Sequence, residues 1–279
     1  MTRLRISMNI GKQIRLNRIF SHPSGRLCSV AVDHFVGYGK LTAGGGLSNL
    51  ADALAKVAAG QPGAVTMSKG TAMNCWAPYA GKIPLIVQAG CFTADDRIIE
   101  SVTNAEECIR LGADAIAVAI GIFGPNEGRF INMLMDHVTA AAKYDLPVIA
   151  HIYPRDFSGP SPKIVFDAEG IMWAARVGIE AGVDVIKVGY TGDVGSFRKV
   201  VESSPVPVVA AGGPKAKNLR AALSTMAEVI QAGGRGATIG RNVWGVPKTT
   251  EALRAFKAVL LDGKSVEAAL SAEGLTGEE

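Results

Sequence analysis

An α/β fold, a single (β/α)8 TIM barrel, is what this chain predicts, on three observations. Short β-branched apolar runs alternate with longer helical stretches eight times over. Several helical stretches end on glycine or proline just before the next apolar run. The length of 279 residues is about that of one such barrel.

The strands are expected at 27–33, 64–67, 84–90, 115–121, 147–153, 184–190, 207–213 and 237–242. Near-continuous apolar runs such as "AIAVAIG" suit parallel strands covered on both faces. Helices are expected near 48–59, 71–77, 104–111, 128–143, 168–181, 194–203, 216–232 and 249–262, the second being the weakest. "RLGAD", "EAGVD" and "QAGGRGA" place glycine where a left-handed helix end needs it. "AKYDLPV" and "ESSPVPV" use proline to stop the helix. A doubly wound sheet is the second choice. It needs fewer strands and a G-x-G-x-x-G turn after the first one, which "DHFVGYGKLTAGGG" lacks. One domain is expected over 1–279. Residues 1–26 form an N-terminal cap segment, and residues 264–279 form a short extra helix and a loose acidic tail. The start carries six Lys/Arg before the first acid, Asp33. A transit peptide could look like that. The apolar anchors Ile14, Leu16, Ile19 and Phe20 favour a cap.

With 48% apolar and 19% charged residues, the chain can build a large core and is not disordered. A net charge of +4 makes no case for nucleic-acid binding but leaves anionic substrates open. No apolar run approaches the ~18 residues that cross a bilayer. Cys28, Cys75, Cys91 and Cys108 show no metal-ligand spacing and read as reduced thiols of a cytoplasmic protein. No metal or cofactor is expected.

Such barrels build their active sites at the carboxyl ends of the strands. Asp33 and His34 end the first strand, His151 and Tyr153 the fifth, and Lys187 the sixth. Gly212, Gly213 and Lys215 follow the seventh; Gly240 and Arg241 follow the eighth. Strand alternation puts 185, 187 and 189 on one face and lets Lys187 point into the barrel, with His151 and Tyr153 sharing a face likewise. A desolvated lysine has its pKa pulled below its usual value, and its neutral amine can attack a carbonyl to form a Schiff base. Asp33 and Tyr153 are suitable proton shuttles. Lys187 could equally snorkel to water or pair with a buried acid. The glycines of "AAGGPK" and "TIGRN" stand where barrels often hold a phosphate, with Lys215 and Arg241 to supply charge. Tight turns alone would also explain them. "AGGGLSNL" could be an anion nest, a lid or a plain loop. His22 and His137 read as surface or capping residues; Trp76, Trp173 and Trp244 read as packing residues, Trp244 under the phosphate loop.

"RLNRIF…VAVDH", "YPR", "VIKVGYTGD", "AAGGPK" and "GATIGRNVWG" occur in this order over residues 11–247. Together they resemble the archaeal-type class I fructose-bisphosphate aldolases, the DhnA-type or DeoC/LacD-like group. The resemblance implies a metal-independent, Schiff-base-forming lyase acting on a phosphorylated ketose. Lys187 matches the Schiff-base lysine, Asp33 the strand-one aspartate and Tyr153 the proton-transferring tyrosine. Gly212, Gly213, Gly240 and Arg241 match the phosphate site. It also implies a homo-oligomer, with a decameric ring as the large form. Two departures stand out. Phe35 replaces the glycine of "DHG", and His151 replaces a tryptophan two residues before the tyrosine. They keep open a transaldolase or acyltransferase of another sugar phosphate, such as a seven-carbon sugar. Further alternatives are a barrel oxidoreductase holding FMN in the phosphate corner and a non-catalytic sugar-phosphate-binding paralogue.

Overall fold

The computed structural model describes residues 9–34 and 46–279. Eight parallel strands close into a barrel: β1 (Leu27–Ala31), β2 (Ala64–Ser68), β3 (Leu85–Gln88), β6 (Ala115–Ile122), β7 (Val148–Asp156), β9 (Val185–Val188), β10 (Val208–Ala211) and β11 (Gly236–Ile239). Their order is β6-β3-β2-β1-β11-β10-β9-β7, and β7 pairs back to β6 to close the ring. Each expected strand is present. The third stops at Gln88, and the chain re-forms at once as β4 (Gly90–Phe92), antiparallel to β5 (Ile99–Ser101). That hairpin was not expected from the sequence, nor was the short β8 (Lys163–Ile164) beside β7.

The helices surround the barrel: α2 (Leu50–Ala59), α3 (Lys69–Cys75), α4 (Ala105–Arg110), α5 (Glu127–Ala142), α6 (Ala168–Ala181), α7 (Val194–Glu202), α8 (Leu219–Gln231), α9 (Arg241–Trp244) and α10 (Thr249–Leu260). Side-chain caps explain why several start where they do. Asn49, Asn104, Asp167, Asp193 and Asn218 each accept a backbone N–H three residues on, satisfying an otherwise orphaned donor. Gly182, at φ 79°, ends α6 in the left-handed conformation. No described helix is long and apolar enough to cross a membrane.

A helix the sequence reading did not foresee, α1 (Ile10–Ile19), lies under the amino ends of the strands. Ile19 joins Leu27, Ala64, Ile86, Ala115 and Val185 in one buried cluster. Lys12 and Arg18 pair with Asp184 and Asp114 at 3.0 and 3.2 Å, so the basic residues meet acids that precede strands. Ile14 is no anchor, since it faces solvent. At the other terminus, α11 (Val266–Ala272) is the expected extra helix, but the tail after it is not loose. Leu219 and Arg220 donate their N–H groups to the carbonyls of Glu279 and Gly277, and Asn218 donates to the Glu278 carboxylate at 3.0 Å. The tail thus satisfies the free donors of the first turn of α8.

Alternation along the strands sorts the core. Val30, Val65, Val87, Ile116, Val118, Ile186 and Val188 face the helices. The opposite parity faces inward and changes character with height. Ala64, Ile86, Ala115, Ile149 and Val185 are apolar. Next come Ser29, Thr66, Gln88, His151, Lys187 and Thr238, all buried and polar. Above them, Ala31, Ser68, Gly90, Ala119, Ala211 and Gly240 are small. The barrel therefore stays packed below and opens at the carboxyl end.

Candidate active site

Lys187 is the third residue of β9 and is 5% exposed. The strand places it opposite His151 of β7 and Val209 of β10. Two adjoining chambers meet at this lysine, and both are also lined by His34, Ala94, Tyr153 and Ile164.

The first chamber, about 290 Å³, adds Asp33, Ser68, Gln88, Cys91, Phe92, Val102, Ala119 and His151. Gln88 organises it. Its Oε1 accepts the Ala119 N–H at 3.1 Å. Its Nε2 reaches Asp33 Oδ2 at 2.9 Å and His151 Nδ1 at 3.1 Å. The β4–β5 hairpin supplies the wall of Gly90, Cys91 and Phe92. The hairpin is clasped from β7: Arg155, fully buried, pairs with Asp96. The guanidinium lies 4.9, 5.0 and 5.8 Å from the Phe130, Phe157 and Phe92 ring centres. Asn126 donates to the other Asp96 oxygen at 3.0 Å.

The second chamber, about 250 Å³, is lined by Gly212, Gly213, Pro214, Thr238, Gly240, Arg241 and Phe166. Gly213 sits at φ 68°, which a side chain would strain. Gly240 packs against the His34 ring so closely that a Cβ there would overlap it. Arg241 donates to the Gly213 carbonyl at 3.1 Å. Asn242 fastens the two loops, donating to Gly212 O and Pro214 O and accepting the Ala216 N–H. Trp244 donates its indole N–H to Ala31 O at 2.9 Å and meets the His34 ring edge to face. Glycine backbone beside an arginine suits an anionic group.

Burial dominates the electrostatics. It lowers His34 from about 6.5 to about 4; Asp33 opposes this, and Lys187 and Arg241 add to it. Burial also holds His151 well below its ordinary value, helped by the charge of Lys187 and, once it is protonated, by that of His34. Both rings are neutral at pH 7. Burial and the Asp33 charge push the Tyr153 phenol up, against a smaller pull from Arg241. Tyr153 therefore keeps its proton and can donate it.

The structure brings Asp33, His34, His151, Tyr153, Lys187, Gly212, Gly213, Gly240 and Arg241 to one mouth. Lys215 stands aside: it donates to Gly245 O at 2.7 Å and lines a neighbouring cavity together with Arg241. Phe35 and the first two glycines of "AGGG", Gly44 and Gly45, lie outside the described residues. His137 is buried, contrary to expectation, and its ring shares a 3.0 Å hydrogen bond with Ser101 of the hairpin. Trp76 and Trp244 are buried, whereas Trp173 is 48% exposed. The sequence reading missed Gln88 and Asn242. The signal for Gln88 was a polar residue of inward parity inside "PLIVQAG".

The family model described as DeoC/LacD family aldolase matches residues 27–245. A 2-amino-3,7-dideoxy-D-threo-hept-6-ulosonate synthase from Halobacterium salinarum is 32% identical over 268 residues, 95% of this chain and 97% of the relative. A 2-amino-4,5-dihydroxy-6-oxo-7-(phosphonooxy)heptanoate synthase from Streptomyces griseus is 28% identical over 239 residues, 85% of each chain. Among solved structures, an archaeal fructose-1,6-bisphosphate aldolase with its catalytic lysine covalently bound to the carbinolamine intermediate superposes with a TM-score of 0.79. It is 26% identical, over 90% of this chain and 99% of that one. On these matches and this geometry, the chain belongs to the DeoC/LacD aldolase family and is a Schiff-base-forming class I aldolase, a lyase.

Proposed function

We propose that Lys187 is the Schiff-base residue and that the reaction makes or breaks a C–C bond in a ketose carrying a phosphate near its carbonyl. The observation that carries this reading is the position of Lys187 at the junction of the two chambers. The Lys187 amine adds to the ketone carbon, and water leaves to give an iminium. In the cleavage direction the bond two carbons from nitrogen breaks. Its electron pair moves into the iminium to form an enamine, and the adjacent hydroxyl loses its proton as the aldehyde departs. Asp33 and Tyr153 carry protons in these steps. Gly212, Gly213, Gly240 and Arg241 hold the phosphate, with His34 and His151 beside the substrate and Lys215 steadying the loop.

Fructose 1,6-bisphosphate is the first substrate to test. His151 favours a second reading, synthesis of another sugar phosphate, because it adds a polar group beside Tyr153; two relatives are named as seven-carbon synthases. Cleavage assays across phosphorylated ketoses separate the two readings, and efficient turnover of fructose 1,6-bisphosphate selects the first. Borohydride trapping with dihydroxyacetone phosphate, followed by peptide mass spectrometry, tests the mechanism: the adduct is expected on Lys187 and absent in Lys187→Ala. An adduct elsewhere, or an active Lys187→Ala enzyme, would sink it.

The same reading takes residues 1–279 as one barrel domain working in the cytoplasm, without nucleic-acid or membrane partners, as a homo-oligomer up to a decameric ring. Light scattering on the purified chain measures the assembly.

A further inference from the structure

Gln88 has no part in the roles assigned so far, yet every hydrogen-bonding atom of its side chain is committed. The Ala119 N–H fixes Oε1, so the Nε2 end faces the chamber. An amide nitrogen carries two hydrogens and accepts none. One goes to Asp33 Oδ2 and the other to His151 Nδ1. A flipped amide would set Oε1 against the carboxylate and Nε2 against a backbone N–H, and Gln88 is only 7% exposed, so water offers no compensation. The orientation of the amide is therefore determined, and it determines the histidine: Nδ1 holds the lone pair, and the ring proton sits on Nε2.

We infer that Gln88 is a positioning residue that locks His151 as the neutral Nε2–H tautomer and holds the Asp33 carboxylate beside it. The inference rests on Lys187 being the Schiff-base residue. An iminium on Lys187 is a cation, and His151 is its partner across β7 and β9. An imidazolium there would repel the iminium at short range. A second proton on His151 would have to enter at Nδ1, where the Gln88 N–H already points. The titratable groups that line the chamber with the ring are Lys187 from β9, Asp33 and His34 after β1, Cys91 from β4 and Tyr153 from β7. Lys187 and His34 also disfavour a charged ring. Gln88 thus adds a geometric block to an electrostatic one and leaves Nε2–H as a neutral donor.

Long-range ¹H–¹⁵N correlation spectra of the full-length protein, with His151 assigned by substitution, read the tautomer directly. Neutral Nε2–H is expected from about pH 6 to 8, the range in which an ordinary histidine titrates. Gln88→Glu offers an acceptor to Nδ1 and is expected to protonate the ring near neutral pH. It should slow borohydride trapping of dihydroxyacetone phosphate about tenfold or more and add a limb near neutrality to the pH profile. Gln88→Leu removes the donor and is expected to leave a mixture of tautomers. If either variant fails to fold, the native spectrum still decides. A native His151 protonated on Nδ1, or a folded Gln88→Glu enzyme with native trapping rate and pH profile, overturns the role of Gln88. No adduct on Lys187 in the native enzyme overturns the Schiff-base reading and this inference together. An adduct accompanied by the wrong tautomer overturns this inference alone.

Discussion

Residue by residue, the proposed roles divide the site into groups that react and groups that hold. Tyr153→Phe removes the raised phenol but leaves Lys187 in place. It should cut turnover about 10²- to 10⁴-fold while the borohydride adduct still forms, so a comparison of steady-state turnover with single-step trapping checks it. Arg241→Ala withdraws a charged hydrogen-bond donor from the glycine-lined chamber. The expected loss is about 1.5–3 kcal/mol of substrate binding, read as a raised KM for phosphorylated substrates with little change for unphosphorylated ones. The residues legible in the sequence were those whose chemistry contradicts their surroundings: a lysine in "VIKVGY", histidine and tyrosine two apart on one strand face, arginine after glycine. Gln88 and Asn242 were not legible because amides are ordinary in sequence. Their meaning comes from partners 31 to 63 residues away for Gln88 and 26 to 30 away for Asn242.

At the scale of elements, eight strands and eight following helices were readable from apolar runs and their punctuation. The β4–β5 hairpin was not, because "GCFTADDRIIES" mixes charge with short apolar pieces. What orders it lies on β7, in the aromatic-walled pairing of Arg155 with Asp96. Asp96→Ala should leave that guanidinium buried without its partner, costing about 3–5 kcal/mol, measured as a lower denaturation midpoint. Pairing it with Arg155→Met should recover much of the loss. The same single change should loosen the chamber wall and raise KM, even though neither Asp96 nor Arg155 lines the cavity.

For the whole molecule, pH ties fold to function through two buried histidines, His137 and His151, and the largely enclosed His34. His34, His137 and His151 are all lowered, each chiefly by burial. Between the unfolded value of about 6.5 and the folded values, the unfolded chain binds more protons. Stability is therefore full above pH 6.5 and falls as the solution is acidified toward pH 4. Each histidine steepens the slope by up to about 1.4 kcal/mol per pH unit. Urea unfolding at pH 7.5 and at pH 5 measures it, and a flat profile would contradict the burial of these rings. The N-terminal segment was legible as a cap from its apolar residues, but its helix was not, because its basic residues find their partners, Asp114 and Asp184, only once the distant strands are in place.

The small inward residues of the upper strand ends have a consequence for adaptation. Ala119 borders the chamber beside Lys187, and space there exists because side-chain carbon has been left out. The reach of the enzyme toward different aldehydes is thus adjustable in steps of one methyl group, with the reacting residues untouched. Ala119→Val should exclude longer aldehydes first and shorten the range of products before it slows the chemistry.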